Sequence, residues 1–344
     1  MKNFEGAVFR YRLALREPLR LAGQTLTHRE GLLLRLTDRS GVCGWGEAAP
    51  LPGFSRETLE EAEAELVALC RSEELEWKST APSVGFACRG FFLNYTAQHF
   101  GHFGPPELYP GRARVLGVQA LLAGDETAML ARARELRESA ATCPVAKLKV
   151  GDVDGAAAAE RVARVAETLG PGWRLRLDAN RAWDFPDALA FWNAVEGLPV
   201  DYVEEPLREW RRLPELRQRC GMPIALDESL REDKVPDPVL GCAMGWVYKP
   251  TMMHEDRLVE FLDNSECVGP VTTSACFESG VGLSMLAWDA FFVDPDNPAG
   301  LDTYHWLAED VLEERLPLAP GEVDLEALAA AARRVDLRKL ERVF

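Results

Sequence analysis

Five charged residues at the ends of apolar stretches follow the order lysine, acid, acid, acid, lysine. They are Lys149, Asp178, Glu204, Asp227 and Lys249, and successive members lie 22 to 29 residues apart. Such an interval fits one strand followed by one helix. In a parallel barrel the carboxyl ends of the strands converge on one face, where active sites lie. We therefore expect these five side chains, although distant in sequence, to meet in space.

The types of these residues suit proton abstraction assisted by a metal ion. Asp178, Glu204 and Asp227 offer hard oxygen ligands, which predict Mg²⁺ as the cofactor and leave open whether Mn²⁺ can replace it. Lys149 and Lys249 would face each other across that ion. A lysine acts as a base only when its pKa falls well below about 10.4, and a dication, a second ammonium and burial all disfavour the charged amine. The metal would stabilise charge developing on a carboxylate, so the predicted partner is a small-molecule carboxylate.

Single members of this set carry little weight. One carboxylate at a strand end is more often a helix N-cap or a salt-bridge partner. The pair Lys147 and Lys149 shows by itself only that two lysines share one face of a strand. The complete order at five successive strand ends is hard to obtain by chance, and it favours a catalytic site.

The segments that must position these residues alternate between short apolar strands and helices from about residue 115 onward. Strands are predicted at Leu116–Leu122, Val145–Val150, Trp173–Leu177, Asp201–Val203, Pro223–Leu226, Trp246–Tyr248 and Val271–Ser274. Helices are predicted near 126–139, 155–169, 186–196, 211–219, 254–263 and 280–291. The alternation implies a parallel sheet, and seven or eight such units imply a closed barrel of the α/β class.

The first hundred residues differ from this pattern and are typical of an antiparallel α+β unit. The predicted elements are strands at 6–15 and 31–37, a helix at 56–70 with Ser55 as its N-cap, a helix at 83–99 and a linker at 101–114. The predicted domains are an α+β domain at 1–112, the barrel at 113–305 and a segment at 306–344 that returns to the first domain.

Composition excludes several classes of partner. The formal net charge of −16 and a pI near 4.9 disfavour binding to nucleic acid or an anionic membrane. No stretch approaches the ~20 apolar residues of a membrane span, and the N-terminus lacks the apolar core of a secretory signal. The eight cysteines are scattered, without a C-x-x-C pair, which predicts reduced thiols in a cytoplasmic protein and no zinc cluster.

Five strand-end motifs resemble the enolase superfamily, in the muconate-lactonizing-enzyme subgroup. The motifs are Lys147-x-Lys149, Asp178-x-Asn180, Glu204-Glu205-Pro206, Asp227-Glu228-Ser229 and Lys249-Pro250. The resemblance implies a modified (β/α)7β TIM-type barrel with an α+β capping domain built from the N-terminal region and the C-terminal tail. It also implies Mg²⁺ on Asp178, Glu204 and Asp227, with Asn180, Glu205 and Glu228 behind the ligands. Glu204 rather than Glu205 is the expected ligand, because the family keeps the first acid of the pair.

Within that superfamily the chain is most similar to the o-succinylbenzoate synthase family of menaquinone biosynthesis. The stretches that carry this resemblance are Gly44-Trp45-Gly46-Glu47 with Pro50-Leu51-Pro52-Gly53-Phe54-Ser55, the run Arg176–Trp183, and Lys249-Pro250-Thr251 with Thr273–Gly280. The resemblance implies dehydration of 2-succinyl-6-hydroxy-2,4-cyclohexadiene-1-carboxylate to o-succinylbenzoate through an enediolate. Lys149 would remove the proton and then protonate the departing hydroxide. Lys249 would stabilise the anionic intermediate by charge and cation–π contact, and Lys147 would tune Lys149.

Several further residues are candidates for binding the substrate. Arg176 lies two residues before a ligand, so it points to the same side of its strand, although a structural salt bridge explains it equally well. Ser274, Ser279 and Gly280 offer hydroxyl or backbone N–H groups to the succinyl tail. Phe54 and Ser55 belong either to a mobile loop that closes over the substrate or to an ordinary loop before a helix.

Other functions remain open at this point. Racemization of N-succinylamino acids, dipeptide epimerization and cycloisomerization use the same scaffold, and two opposed lysines suit a racemase because one can act on each face. A non-catalytic metal-binding scaffold is the alternative from another class. The sequence leaves open whether the protein is a monomer or a homo-oligomer.

Overall fold

The computed structural model describes residues 4–21, 23–72, 79, 81–100, 111–139, 141–264 and 269–344. Its strands are β1 (Phe4–Leu21), β2 (Gln24–Asp38), β3 (Cys43–Ala48), β4 (Val115–Val118), β5 (Ala120–Leu122), β6 (Val145–Lys149), β7 (Arg174–Asp178), β8 (Val200–Glu204), β9 (Ile224–Leu226), β10 (Ala243–Tyr248), β11 (Val271–Thr273), β12 (Gly321–Asp324) and β13 (Glu341–Arg342). Its helices are α1 (Leu59–Arg71), α2 (Pro82–Phe100), α3 (Glu126–Glu138), α4 (Gly155–Leu169), α5 (Phe185–Val195), α6 (Leu213–Cys220), α7 (Asp237–Gly241), α8 (Glu255–Asn264), α9 (Gly280–Val293) and α10 (Leu325–Ala332).

An antiparallel sheet in the order β13-β1-β2-β3 packs with α1 and α2, and these elements together are called the cap below. Alternation along β1 and β2 turns Val8, Leu32 and Leu34 towards the two helices, where they form a buried cluster. Helix α1 begins later than predicted, because Thr58 and not Ser55 is its N-cap. Thr58 and Glu61 form a capping box, which fixes the start of the helix.

A parallel sheet in the order β11-β10-β9-β8-β7-β6-β5 forms the wall of the barrel, as predicted. Its strands are buried along nearly their whole length, because helices cover the outer face. Single bridges from Ser274 to Gly300 and from Val118 to Ala299 link the two edges of this wall. The ring closes through this short bridged segment, which is why no strand periodicity marks it in the sequence.

Most predicted elements of the barrel are confirmed within one or two residues. Helix 155–169 has the predicted bounds, and the side chain of Asp154 caps it. The strand predicted at Leu116–Leu122 is interrupted at Gln119, so its first part pairs with β12 and its second part with β6. Most of the predicted linker, at 101–110, lies outside the described residues.

The C-terminal segment contains strands that helical periodicity did not indicate. Strand β12 pairs with β4, and β13 pairs with β1 through the partners Phe9 and Arg342. The end of the chain therefore adds the edge strand β13 to the sheet of the cap. The predicted domain boundaries stay a prediction.

The cap is joined to the barrel by ion pairs and by a buried hydrogen bond. Arg89 of α2 donates to Asp289 of α9 at 2.6 Å and to Glu255 of α8 at 2.8 Å. Glu47 of β3 accepts a hydrogen bond from the backbone N–H of Ser279 at 2.8 Å. These contacts hold the cap over the carboxyl ends of the strands. None of the described helices combines the length and apolarity needed to cross a bilayer, and the seven described cysteines are free.

Candidate active site

The three predicted metal ligands lie side by side at the carboxyl ends of neighbouring strands. Asp178 ends β7 and Glu204 ends β8, and these two residues are paired in the sheet register. Asp227 follows β9 directly. All three are at most 1% exposed. The parallel register therefore brings together carboxylates that are far apart in sequence, and burial makes each charge costly unless another charge balances it.

Three lysines supply that balance. Lys147 Nζ lies 2.6 Å from a Glu204 oxygen and 2.8 Å from Asp178 Oδ2. Lys149 Nζ lies 2.6 Å from the same Asp178 oxygen, and Lys249 Nζ donates to Asp227 Oδ2. Because the lysines come from β6 and from the end of β10, they flank the acids of β7 to β9 on both sides.

The charges of this cluster shift the pKa values of its members. Burial lowers the pKa of Lys147, but Asp178, Glu204 and Asp227 outweigh burial and hold that pKa well above the ordinary value. Burial also opposes ionisation of Glu204, and with the charge of Asp178 it raises the pKa of Glu204 well above the ordinary value. Burial acts in the same way on Asp227, but Lys249, Arg231 and Lys147 lower the pKa of Asp227 to about 2. The acids thus stabilise the charged form of Lys147 and Lys249, which is the inactive form of a base.

The donor set fits a hard divalent cation. Among the described residues no three His, Cys, Asp or Glu side chains are arranged as a metal site, and the ammonium of Lys147 bridges Asp178 and Glu204 instead. However, Asp227 Oδ1 is buried without a hydrogen-bond partner in the described part of the chain. An orphaned carboxylate oxygen beside two more carboxylates suits oxygen coordination of Mg²⁺. A dication there would also oppose the charge on the neighbouring amines.

Glu205 holds the turn that presents Asp227. Its Oε1 accepts from the backbone N–H groups of Asp227 at 3.0 Å and Ser229 at 2.7 Å, and its Oε2 accepts from Arg181 Nε at 3.2 Å. Glu205 adopts a positive φ of 44°, which turns its side chain behind the ligands. Burial and the charge of Glu228 raise the pKa of Glu205 to about 7.

Asn180 and Glu228 line the same face of the site. Asn180 Oδ1 accepts from Lys149 Nζ at 2.9 Å, and its Nδ2 donates to Glu228 Oε1 at 3.2 Å. Asn180 and Asp178 together therefore hold the amine of Lys149.

Two families of known proteins match this chain. Residues 128–234 match the family described as Enolase C-terminal domain-like, and residues 3–90 match the family described as MenC, N-terminal domain. The o-succinylbenzoate synthase of Enterobacter sp. is 33% identical, with 93% of this chain and 97% of that protein covered. The chain belongs to the o-succinylbenzoate synthase family. The o-succinylbenzoate synthase of Haemophilus influenzae is 30% identical, with 93% and 96% covered.

Solved structures agree with this membership of the enolase superfamily. The o-succinylbenzoate synthase of Thermosynechococcus elongatus, solved with magnesium in its active site, is 25% identical, with 92% and 96% covered and a TM-score of 0.69. The L-Ala-D/L-Glu epimerase of Bacillus subtilis has the same fold at 19% identity, with a TM-score of 0.76 and 94% and 96% covered. The predicted fold class and the prediction of an enzyme are therefore confirmed, which removes the non-catalytic scaffold.

In this family member Arg176 lies inside the barrel and not at its open end. The residue is 1% exposed, and its guanidinium donates to Gln119 Oε1 at 2.7 Å, to the carbonyl oxygen of Pro298 at 2.9 Å and to Asn297 Oδ1. It also stacks on the ring of Tyr202, 5.2 Å from the centroid. The engagement of its donors favours the structural alternative for Arg176, and its binding of substrate stays a prediction.

The groups predicted to hold the succinyl tail are also engaged within the protein. The hydroxyl of Ser279 donates to Glu47, and its backbone N–H does the same. The backbone N–H of Gly280 donates to Asp310 Oδ1 at 3.0 Å. Ser274 is 7% exposed and pairs with Gly300 where the barrel closes. The donors of Ser279 therefore join cap and barrel and that of Gly280 holds Asp310 of the C-terminal segment, while substrate binding by Ser279 and Gly280 stays a prediction.

Phe54 and Ser55 lie in a loop of the cap, Leu51–Ser55, that reaches the barrel. Phe54 packs in an apolar cluster with Leu51, Met252 and Cys276, so the loop covers the ends of the strands. Ser55 Oγ accepts from the backbone N–H of Leu51 at 2.8 Å, which closes the loop on itself. Phe54 thus faces the site, whereas Ser55 shapes the loop.

Sequence reasoning missed Arg231, which contacts both this loop and the ligand turn. Its Nη2 lies 3.8 Å from Asp227 Oδ1, and its Nη1 lies 3.4 Å from the carbonyl oxygen of Phe54. The available signal was an arginine four residues after a predicted ligand, at one helical turn's distance.

Proposed function

We propose that this chain dehydrates 2-succinyl-6-hydroxy-2,4-cyclohexadiene-1-carboxylate to o-succinylbenzoate, as a step of menaquinone biosynthesis, with Mg²⁺ on Asp178, Glu204 and Asp227. The observation that carries the proposal is the pair of lysines on opposite flanks of three adjoining buried carboxylates. Such a site can hold a substrate carboxylate through the cation and meet the neighbouring carbon from either side. A bound Mg²⁺ would supply electrostatic stabilisation of the negative charge that develops on that carboxylate.

Exposure supports Lys149 rather than Lys147 as the base. The side chain of Lys149 is 41% exposed, whereas that of Lys147 is 9% exposed and shared between two carboxylates. A base must reach the proton that it abstracts, within about 2.6–3.2 Å between heavy atoms. Lys147 is enclosed behind the acids, so its role is to position them.

The reaction then needs one amine as base and acid in turn. The neutral amine of Lys149 takes the proton from the carbon next to the carboxylate, and the C–H electron pair moves onto the carboxylate to form the enediolate. That electron pair then returns to form a double bond in the ring as the hydroxyl leaves. The C–O bond to the hydroxyl breaks, and the ammonium of Lys149 returns the proton to the departing hydroxide, which leaves as water. Lys249 stays charged against the ring and stabilises its negative charge. Atoms and electrons balance without an oxidant, and the ring becomes aromatic.

A direct assay tests this proposal. We expect the purified protein with Mg²⁺ to convert the cyclohexadiene substrate, followed by ultraviolet absorption of the aromatic product. Lys149→Ala should reduce kcat by at least about 10³-fold, because general acid–base catalysis alone contributes 10²–10⁴-fold. The matched control is Lys234→Ala, which removes an exposed lysine after the ligand turn. Turnover by Lys149→Ala at the control's rate would exclude this residue as the base.

The same lysines also favour a second candidate, racemization or epimerization of a succinylated amino acid. Opposed amines allow one residue to remove the α-proton and the other to return it to the opposite face. Incubation in deuterium oxide separates the two candidates: a racemase exchanges the α-proton of N-succinylamino acids without net loss of substrate, and each single lysine variant loses exchange from only one enantiomer.

A further inference from the structure

We propose that Arg231 is a positioning residue that couples the loop Leu51–Ser55 of the cap to the carboxylate of Asp227. The inference rests on the proposed function only because it takes Asp227 as a metal ligand. Arg231 ends the short 3-10 turn Glu228–Arg231, which follows Asp227 directly. The backbone of this turn is held by Glu205, so the side chain of Arg231 starts from a fixed point.

The guanidinium of Arg231 lies between the cap and the ligand turn. Its Nη1 is 3.4 Å from the carbonyl oxygen of Phe54 and 3.4 Å from the sulfur of Met252. Its Nη2 is 3.8 Å from Asp227 Oδ1 and 3.9 Å from Glu228 Oε1. Its Nε is buried and has no hydrogen-bond partner among the residues that the structure describes. A side chain that is only 16% exposed thus reaches two elements by long contacts, which a change in either element can shorten.

The two carboxylate oxygens of Asp227 differ in their hydrogen-bond partners. Lys249 donates to Oδ2, whereas Oδ1 has no hydrogen-bond partner in the described part of the chain. Arg231 faces Oδ1 from beyond hydrogen-bond distance, so it attracts the carboxylate without using the lone pairs of that oxygen. This arrangement keeps Oδ1 available to a cation while fixing the orientation of the carboxylate.

The cap also contacts the backbone of Arg231. Arg56 Nη2 donates to the carbonyl oxygen of Arg231 at 2.7 Å and to Asp233 Oδ1 at 2.9 Å. Arg56 follows the loop directly and its side chain is 65% exposed. It therefore joins the cap to the same turn without approaching Asp227, which makes it a matched control for the guanidinium of Arg231.

The coupling predicts a reciprocal effect between the cation and the loop. One guanidinium contacts both Asp227 and Phe54, so a cation that orders Asp227 must also favour the formed loop Leu51–Ser55. The free energy by which the cation stabilises the loop equals the free energy by which the formed loop strengthens cation binding. Simple charge repulsion predicts the opposite change in binding, because removing a positive charge next to the site would tighten the cation. The sign of the change in affinity therefore distinguishes positioning from repulsion.

The test compares Arg231→Met, Arg231→Lys and Arg56→Met with the wild-type protein. Mg²⁺ affinity is measured by calorimetry without substrate, and hydrogen exchange is followed in the peptide that contains the amides of Phe54 and Ser55. Both amides donate to the carbonyl oxygen of Leu51, so their exchange reports whether the loop is formed. Thermal unfolding confirms that each variant is folded.

We expect Mg²⁺ to slow exchange of the loop in the wild type and in Arg56→Met, but not in Arg231→Met at saturating Mg²⁺. Arg231→Met should bind Mg²⁺ about 10-fold more weakly, the usual cost of losing a residue that orients a ligand, and Arg231→Lys should fall between. Unchanged or tighter binding by Arg231→Met, or equal loss of the response in Arg56→Met, would overturn the coupling. A wild type that binds Mg²⁺ with the coupled response but does not dehydrate the substrate would contradict only the proposed function.

Discussion

Inside the barrel, side chains from the same strands form two layers, and the charged side chains of these layers have different kinds of partner. The inner layer contains Arg176, Tyr202, Ala225, Val247 and Thr272, and the outer layer contains Lys149, Asp178, Glu204, Asp227 and Lys249. Arg176 and Asp178 belong to one strand and point to one side of it. Arg176 is surrounded mainly by neutral oxygens that accept its donors, whereas Asp178 is paired, among the described residues, with two lysine amines and a backbone N–H.

Saturation of hydrogen bonds, and not burial, therefore separates a charge that supports the fold from a charge that can bind a ligand in this barrel. A buried ion with all its hydrogen bonds made inside the protein contributes to specifying the fold and has nothing left for a ligand. The outer carboxylates are paired with lysine amines and keep an orphaned oxygen at Asp227 among the described residues, so they can exchange these partners for a cation. Four predictions test this contrast between the layers, and they are given in decreasing order of the expected effect.

The largest effect is expected for Asp178→Asn in the outer layer. The amide cannot balance the charge of a cation, so kcat/KM for dehydration should fall at least about 1,000-fold, equivalent to about 4 kcal/mol of lost electrostatic stabilisation. The unfolding midpoint should change little, because Lys147 keeps Glu204 as its partner. Activity of Asp178→Asn near that of the wild type would remove Asp178 from the metal site.

Arg176→Met should give the opposite outcome in the inner layer. The change leaves the oxygens of Gln119 and Asn297 without their donor, so we expect a loss of about 3 kcal/mol in the free energy of unfolding, measured by urea denaturation. Under folding conditions kcat should stay within about 3-fold of the wild type. A large rise in KM without loss of stability would return Arg176 to the substrate site and break the contrast between layers.

A third prediction concerns the pH dependence of stability at the junction of cap and barrel. Burial and the charge of Glu47 raise the pKa of Glu278 to about 7, although Arg29 opposes this. Because the folded pKa lies above the ordinary value of 4.5, the stabilisation by this group is complete below about pH 4.5 and is lost as the pH rises through about 7.

Glu278→Gln should therefore remove part of that dependence. We expect the wild type, relative to Glu278→Gln, to lose about 2–3 kcal/mol between pH 4.5 and pH 8, from urea denaturation at both pH values. The hydroxyl of Thr251, which donates to Glu278 at 2.9 Å, can rotate to accept from the new amide, so the variant should fold. Parallel pH profiles for the two proteins would show that Glu278 does not titrate in this range.

The smallest effect is expected for Ser279→Ala. The change removes the N-cap of α9 and a donor to Glu47, so it should cost about 1–2 kcal/mol of stability in thermal or urea unfolding. If Ser279 only joins cap and barrel, KM should remain within about 2-fold of the wild-type value. A selective rise in KM, with unchanged stability, would instead support the original prediction that Ser279 binds the substrate.

Much of the fold was predictable because hydrophobic periodicity follows local geometry. Helix 155–169 and the strands carrying Lys149, Asp178 and Glu204 were predicted within two residues, since alternation of apolar stretches depends on near neighbours. The cap helix was placed too early because Ser55 and Thr58 are both good N-caps. The side chain of Glu61 accepts a hydrogen bond from the backbone N–H of Thr58, and this reciprocal contact selects Thr58 as the N-cap.

The amino-acid sequence was sufficient to predict the order of the strands, the three acids and two lysines at their ends, and the family to which the chain belongs. Tertiary structure alone decided which charges have partners. Arg176 and Asp178 point to the same side of one strand and are both buried, so no local sequence pattern distinguishes their roles. The distinction arises because residues such as Asn297 and Gln119 arrive from distant parts of the chain and saturate one charge while leaving the other free to change partners.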